Sequence, residues 1–424
     1  MHRLHDIAPL VDTDRIANMT GSRTSLRCRV CDSMDMQRVI DLGQQPWCNH
    51  FLDKSEIGTE PFYPLSVLFC HTCATAQLDY TVPKEVMFGD HSYRSGTTRT
   101  LDDHFRAVAD DVDSRFFRHA PRRSVLDIGS NDGTQLRHFR DLGWNVLGVE
   151  SSAGTAHAAN DAGIETIRAF FNARVAATLN RQFDVINAAG VFFHLEELHS
   201  VADGIRILLA RDGVFVVQFV YMKAIVERGA FDLIYHEHLV YYTLHTLGRL
   251  LERHGLELFD AYLSPIHGGS VIAFASHTGG YPPSARLEEL RRREVDAQTN
   301  TVDTYISFAA TIDVAKQRSL NVLTTARQRG RRTFGLGAPA KGNTLLNHFG
   351  IGPDLVACLV ERNPLRRGLY SPGMHIPIVM EDELQEQPDL YYVLAWNFKA
   401  EILSRYRPQI ERGVELFFPV DADT

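Results

Sequence analysis

Short apolar runs alternate with stretches at helical spacing along most of this chain, a pattern that predicts strand–helix units. The run Val125–Ile128 is closed by a glycine turn over Gly129–Gly133, after which Leu136 and Phe139 fall at helical spacing, and a second run, Val146–Val149, ends on Glu150. This order predicts strand, tight loop, helix and parallel strand. It puts Glu150 about 20 residues past the first glycine, where an acidic side chain can grip ribose hydroxyls. A helix over 101–117 leads in, and strands over 183–187 and 213–219 flank a helix over 198–209. A helix over 222–228, a strand from Leu256 and a charged, solvated helix over 286–296 follow. A second set opens at Arg332 with a strand, a glycine turn and a helix that begins with Lys341 and Asn343. It continues with a strand over 355–360 ending on Glu361 and a strand edge at Val393–Phe398. The expected class is α/β, with parallel sheets whose ligands gather at the carboxyl edges of the strands.

The first glycine loop selects its ligand. A dinucleotide fold wants G-x-G-x-x-G so that backbone amides and a helix start can meet a pyrophosphate. Here Asn131 and Asp132 interrupt the pattern. A carboxylate aimed into the loop repels a diphosphate and suits a cofactor with a cationic centre and no phosphate, which describes S-adenosylmethionine. A ligand-free glycine turn is the alternative.

Ahead of these lobes, four of the six cysteines form two C-x-x-C pairs, Cys28 with Cys31 and Cys70 with Cys73. Paired knuckles let four thiolates close a tetrahedron around zinc, a source of folding energy for a small module, with redox pairs or core cysteines as alternatives. The 38 residues between the pairs exceed a simple ribbon, and a hairpin carrying Pro46, Pro61 and Pro64 would accommodate them. His71 reads as a bystander.

The segment Tyr235-His236-Glu237-His238-Leu239-Val240-Tyr241-Tyr242 is the densest titratable stretch. If extended, it would put His236 and His238 on one face and Glu237 on the other. It is not H-E-x-x-H, because residue 240 is Val, so a metalloprotease zinc does not fit. A second metal site and a structural polar loop stay open beside acid–base work, for which histidine titrates in the right range. His194 follows a strand edge, and Tyr93 heads a polar loop, 92–98, where a lid would lie. His267-Gly268-Gly269-Ser270 allows close backbone approach to a ligand or is a plain turn. Lys341 and Asn343 at the later helix start read as a phosphate cradle, the lysine supplying the point charge, and a basic pair, Arg366 and Arg367, follows Glu361.

Composition narrows the partners. With 424 residues, two or three domains are expected. A net charge of −8 argues against a broad nucleic-acid surface. Apolar runs fall short of a bilayer span and the first residues lack signal-peptide order, so a cytoplasmic enzyme without membrane contact is expected.

Six motifs occur here in order: the pair of knuckles taken together, Gly129-Ser-Asn-Asp-Gly133 with Glu150, Tyr235-His-Glu-His-Leu239, His267-Gly-Gly-Ser270, Gly337-Ala-Pro-Ala-Lys-Gly-Asn343 and Ala395-Trp-Asn-Phe398. From about Cys28 to the C-terminus the chain resembles the bacterial nucleotide-sugar C-methyltransferases that make branched deoxysugars for antibiotics. Residues 1–26 carry few large apolar side chains and an internal Met19, so a loosely ordered leader is expected there, and the resemblance implies a zinc-binding domain over 27–80. It further implies a class I, Rossmann-like methyltransferase domain with a lid loop over 81–280, connecting helices over 281–330 and a Rossmann-like nucleotide-sugar-binding domain over 331–424. The implied reaction removes a proton from C3 of a TDP-4-keto-6-deoxyhexose, and the enolate takes the methyl of S-adenosylmethionine. On this view His238 is the base, Glu237 orients the site, Tyr235 relays the proton, and His194 and Tyr93 polarise the ketone. Asp127, Gly129, Asn131, Gly133, Glu150, Phe171 and Ala189 would hold the cofactor; His267, Gly268, Ser270, Lys341, Asn343, Glu361 and Arg367 the sugar nucleotide; and the four knuckle cysteines structural zinc. A monomer or weak homo-oligomer is expected. The chain departs from the family at Gly190, where Asn is usual, at Ser151, where Pro is usual, and at His91, where an aromatic is usual. The alternatives are a relative that enolises without methyl transfer (an epimerase, isomerase or dehydratase), methylation of another acceptor and, more remotely, a zinc-ribbon binding protein.

Overall fold

The computed structural model describes residues 26–89, 95–97, 99–118 and 123–420. Nearly all of the 1–26 leader, together with His91 and Tyr93, lies outside them. The described residues divide into two compact units, one drawn from 1–33, 81–221 and 239–297, the other from 34–80, 222–238 and 298–424. Strands are numbered in chain order.

The second unit begins with an antiparallel sheet of β1 (Met36–Pro46), β2 (Phe62–Cys70) and β3 (Ala76–Leu78). The residues between the C-x-x-C pairs are therefore mostly one long hairpin. Pro46 ends β1 and pairs with Phe62, while Pro64 sits early in β2 opposite Gln44. Proline lacks an amide to donate, so it is tolerated at such a strand end.

The first unit is built on β4 (Ser124–Ile128), β5 (Asn145–Glu150), β6 (Thr166–Arg168), β7 (Phe183–Ala189) and β8 (Leu209–Val220). It also holds a short β9 (Val240–Tyr241), β10 (Leu256–Ser264) and β11 (Ser270–His277). Its seven-stranded sheet has the order β10-β11-β8-β7-β4-β5-β6. The five strands from β8 to β6 are parallel, and β11 runs antiparallel to both of its neighbours. Alternate residues of β4, β7 and β8 bury Val125, Val185, Val214 and Val216 against Leu136, Phe139 and Trp144. The order reverses between β4 and β7, so the carboxyl ends of β4, β5 and β7 frame the crevice where α/β sheets bind ligands. The helix ahead of β4 is α over Arg99–Val112 and widens into a π turn over Asp113–Phe117, a subdivision that apolar spacing alone does not reveal.

A five-stranded parallel sheet completes the second unit: β12 (Thr333–Leu336), β13 (Leu359–Glu361), β14 (Ile378–Met380), β15 (Leu390–Val393) and β16 (Glu415–Phe417), in the order β14-β13-β12-β15-β16. The β13 strand is shorter than its apolar run, because only residues 359–361 pair with β12 and β14. Among the described residues no helix is long and apolar enough to cross a membrane.

Candidate active site

The knuckles share one backbone plan. Asp32 N–H donates to the Cys28 carbonyl at 3.0 Å and Ala74 N–H to the Cys70 carbonyl at 2.8 Å. Asp32 and Ala74 both take left-handed φ, 62° and 61°. In the first knuckle the amides of Val30 and Cys31 point at the Cys28 sulfur, 3.4 and 3.5 Å away. The four thiol sulfurs lie within 4.8 Å of one another, and they form the only such cluster of metal-ligating groups among the described residues. A tetrahedron with Zn–S of about 2.3 Å has edges of about 3.8 Å, so the donor set fits zinc. His71 is exposed beside Gln37, outside that set.

In the first unit the loop after β4 turns on three left-handed residues, Gly129 (φ 71°), Asn131 (φ 50°) and Gly133 (φ 77°). A Cβ on Gly129 would sit 2.9 Å from Val191, so glycine is required there by both conformation and space. Glu150 ends β5 as expected and locks this loop: Oε2 accepts Asn131 N–H at 2.9 Å and Oε1 accepts Ser152 N–H at 2.8 Å. The Ser151 hydroxyl also lies 3.4 Å from Oε1, so the serine that replaces the family's proline adds a donor to this carboxylate. Oε2, with one donor, keeps a lone pair for a ribose hydroxyl. Asp127, at 3% exposure, accepts from Asn187 Nδ2 at 2.6 Å, and burial pushes its carboxyl up to about 7. Asp132 corrects the reasoning from sequence. Its carboxylate is not aimed at a ligand, because it accepts from the Thr134 hydroxyl (2.6 Å) and amide (3.3 Å) at the helix start and from Gly96 N–H (2.9 Å). The loop still disfavours a pyrophosphate, for a different reason: the helix terminus already holds an anion.

Ala189 ends β7, and a Cβ on the adjacent Gly190 (φ 71°) would meet no atom within 4 Å, so open space lies at this edge. Phe171 instead packs its ring against Gly204 of the helix Leu198–Leu208, a core position. His194 closes the 3-10 turn Phe192–His194, its ring 4.4 Å from that of Phe193 and 5.2 Å from that of Phe88. His267 is exposed with φ 56°, Gly268 is buried, and the Ser270 hydroxyl donates to the Ile266 carbonyl at 2.9 Å.

Tyr235–His238 of the acid–base segment lie in the second unit and form a turn, since His238 N–H donates to the Tyr235 carbonyl at 2.9 Å, so the extended arrangement does not apply to them. Each side chain therefore has its own surroundings. His238 Nδ1 is 2.8 Å from the Leu233 carbonyl, which can only accept, so Nδ1 carries the hydrogen and Nε2 the lone pair. The Tyr235 ring lies 3.9 Å from the His238 imidazole, centroid to centroid. Glu237 accepts from the Trp47 indole at 2.8 Å; burial pushes its carboxyl up to about 7, with Trp47 and Asn49 pulling it back. His236 donates to the Pro64 carbonyl at 3.2 Å, and burial pulls its pKa down to about 4, so this ring stays neutral.

Around the second glycine turn, Glu361 Oε2 accepts Ala338 N–H at 2.8 Å, and Asn343 donates to the Cys48 carbonyl at 2.7 Å. The Lys341 ammonium is turned away from a phosphate-binding role: it lies 3.4 Å from the Asp232 carboxylate and 3.4 Å from the centre of the Trp396 ring. Arg367 is exposed and paired with Glu383. Its neighbour Arg366 stacks over Phe51 at 4.0 Å and is desolvated enough to lower its pKa. Sequence reasoning did not single out Trp47, Asn49, Asn187 or Asp232 as site residues. Only Asp232, three residues ahead of Tyr235, lies close to a motif.

Comparison with known proteins matches three segments in turn: a zinc binding domain over residues 28–88, a methyltransferase domain over 101–261 and a C-methyltransferase C-terminal domain over 265–421. The chain is 31% identical over 399 residues to the C-methyltransferase NovU of Streptomyces niveus, covering 93% of this chain and 95% of that protein. Among solved structures, magnesium protoporphyrin IX methyltransferase of Synechocystis PCC 6803 with bound S-adenosylmethionine is 16% identical, with 45% of this chain and 87% of that one covered and a TM-score of 0.33. The CcbJ methyltransferase of Streptomyces caelestis is 18% identical, covering 41% and 89%, with a TM-score of 0.31.

Proposed function

Since the chain belongs to the zinc-binding C-methyltransferases, the family of NovU, and uses S-adenosylmethionine as its donor, we propose that it methylates C3 of a TDP-linked 4-keto-6-deoxyhexose. The observation that carries this reading is the tautomer of His238. With Nδ1–H committed to the Leu233 carbonyl, Nε2 is the basic nitrogen. A proton alpha to a ketone is acidic enough for an imidazole to remove.

In the proposed step, the C3–H bond breaks, the proton goes to Nε2 of His238, and the electron pair enters the C3–C4 bond as charge moves to the ketone oxygen. Bound S-adenosylmethionine supplies the methyl group that C3 acquires. Tyr235, its ring tilted against the imidazole, is proposed to share or relay the same proton, and His194 and Tyr93 to steady the enolate oxygen. Glu237, held by the Trp47 indole, is proposed to orient the site. Glu150 is proposed to hold the cofactor ribose, and Asp127, Gly129, Asn131, Gly133 and Ala189 to shape its pocket. In the second unit Asn343, Glu361 and Arg366 are proposed to hold the nucleotide, with Arg366 rather than Arg367 meeting the diphosphate, because Arg366 is the desolvated cation.

The test is His238→Ala. Methyl transfer to a TDP-4-keto-6-deoxyhexose should be abolished while calorimetry still shows S-adenosylmethionine binding. Unchanged turnover would reject His238 as the base.

A further inference from the structure

Asp232 sits in the 3-10 turn Phe231–Leu233 and is fully buried, at 0% exposure. One of its oxygens, Oδ2, accepts the Trp396 indole N–H at 2.7 Å and lies 3.4 Å from Lys341 Nζ, while the other has no hydrogen-bond partner among the described residues. Lys341 is held between this carboxylate and the face of the Trp396 ring. Burial pushes the Asp232 carboxyl up and pulls the Lys341 ammonium down to about 8, so both charges are kept out of water at a cost. A buried, partly satisfied ion pair contributes little net stability, and apolar residues of similar size would serve packing as well. Its position supplies another reason for it. The residue after Asp232 is Leu233, whose carbonyl takes the Nδ1 hydrogen of His238. The turn closes on itself through Leu233 N–H to Ala230 O at 3.1 Å and Ile234 N–H to Phe231 O at 2.8 Å. Phe231, the residue before Asp232, packs its ring 5.1 Å from that of Phe349, on the same helix as Lys341. The turn is thus pinned at consecutive residues to the helix Ala340–Phe349, and through Trp396 to the segment after β15.

We propose that Asp232 is a positioning residue for proton abstraction: clamped by Lys341 and Trp396, it fixes the turn so that the Leu233 carbonyl holds His238 with hydrogen on Nδ1 and the lone pair on Nε2. This rests on the reading of His238 as the base. It separates Lys341 from nucleotide binding and gives it a role in the chemical step through Asp232. When Nε2 takes the C3 proton, the ring becomes cationic and the same carbonyl continues to accept from Nδ1, so the turn need not rearrange during the step.

The test uses the full-length, zinc-loaded protein with S-adenosylhomocysteine in place of the donor, and follows deuterium from solvent into C3 of the TDP-4-keto-6-deoxyhexose that the wild-type protein methylates. Asp232→Asn and Trp396→Phe should each lower the maximal exchange rate about tenfold with KM within about twofold. Nitrogen NMR of histidine-labelled protein should show the Nδ1–H signature of His238 lost or broadened. Should Asp232→Asn not fold, Trp396→Phe decides, because it removes the indole donor while keeping an aromatic ring for Lys341. Exchange at the wild-type rate, a raised KM with an unchanged rate, or an unmoved His238 signature would each overturn the proposal. His238→Ala separates the two levels. If that variant still exchanges deuterium, the base assignment fails and the positioning role falls with it; if it loses exchange while the Asp232 and Trp396 variants keep it, only the positioning role fails.

Discussion

At the end of β5, Glu150 accepts the amides of Asn131 and Ser152; at the end of β13, Glu361 accepts the amides of Ala338, Arg362 and Asn363. The two lobes thus close their glycine turns with the same device, a glutamate at the tip of the second strand holding the loop after the first. Their surroundings differ. In the first lobe the Asp132 carboxylate sits at the helix start, accepting from the Thr134 amide and hydroxyl, and the nearby Asp127 is buried beside Asn187. In the second lobe the helix start has Pro339 and no side-chain cap, and a desolvated arginine follows the glutamate. A corner loaded with carboxylates suits hydroxyls and a sulfonium, whereas one with an open helix start and a cation suits phosphate. A shared backbone plan therefore leaves ligand choice to the few side chains placed around it.

The most disruptive way to break the comparison is through the glycines. Gly129→Ala forces a left-handed φ on alanine and a Cβ against Val191, which together should cost about 2–4 kcal/mol in urea unfolding. Gly190→Asn has the same φ and open space, and asparagine tolerates that region, so its cost should stay below about 1 kcal/mol. An equal cost at both positions would show that crowding at Val191 does not set the requirement. Next come the two glutamates. Glu150→Gln should raise the dissociation constant for S-adenosylmethionine about tenfold and leave the KM of the sugar nucleotide unmoved. Glu361→Gln should do the reverse with a smaller effect, because this side chain is less buried. Crossed effects would remove the division of ligands between corners. The smallest change expected is in pH dependence. Trp47→Phe deletes a donor to the Glu237 carboxylate, so that group, already near 7, should rise further and carry the corresponding limb of the pH–rate profile upward by about half a unit. A limb that stays in place would assign it to another group.

What could be read along the chain was what the chain encodes locally. Two C-x-x-C pairs, a glycine turn between apolar runs and an acidic residue at the next strand end each lie within a few tens of residues, and their backbone requirements permit few other arrangements. Partners far apart were not legible. Trp47 meets Glu237 across 190 positions and Trp396 meets Asp232 across 164, contacts that no periodicity announces. Side-chain direction was equally hidden: Lys341 and Arg367 carry the charge a phosphate wants, yet one is turned to Asp232 and the other to Glu383, while Arg366 is the cation drawn inward. The residues around Glu237 carried dense titratable chemistry without fixing their backbone, and a hydrogen bond from His238 N–H to the Tyr235 carbonyl folds them into a turn.

The account depends on a carbon nucleophile, and the fate of the methyl group tests that most directly. Incubation with S-adenosylmethionine labelled with carbon-13 in its methyl group and a TDP-4-keto-6-deoxyhexose should give a product whose labelled methyl is bonded to C3, seen by carbon–carbon coupling in NMR. Label on oxygen, or deuterium exchange at C3 with no methyl gained, would contradict it.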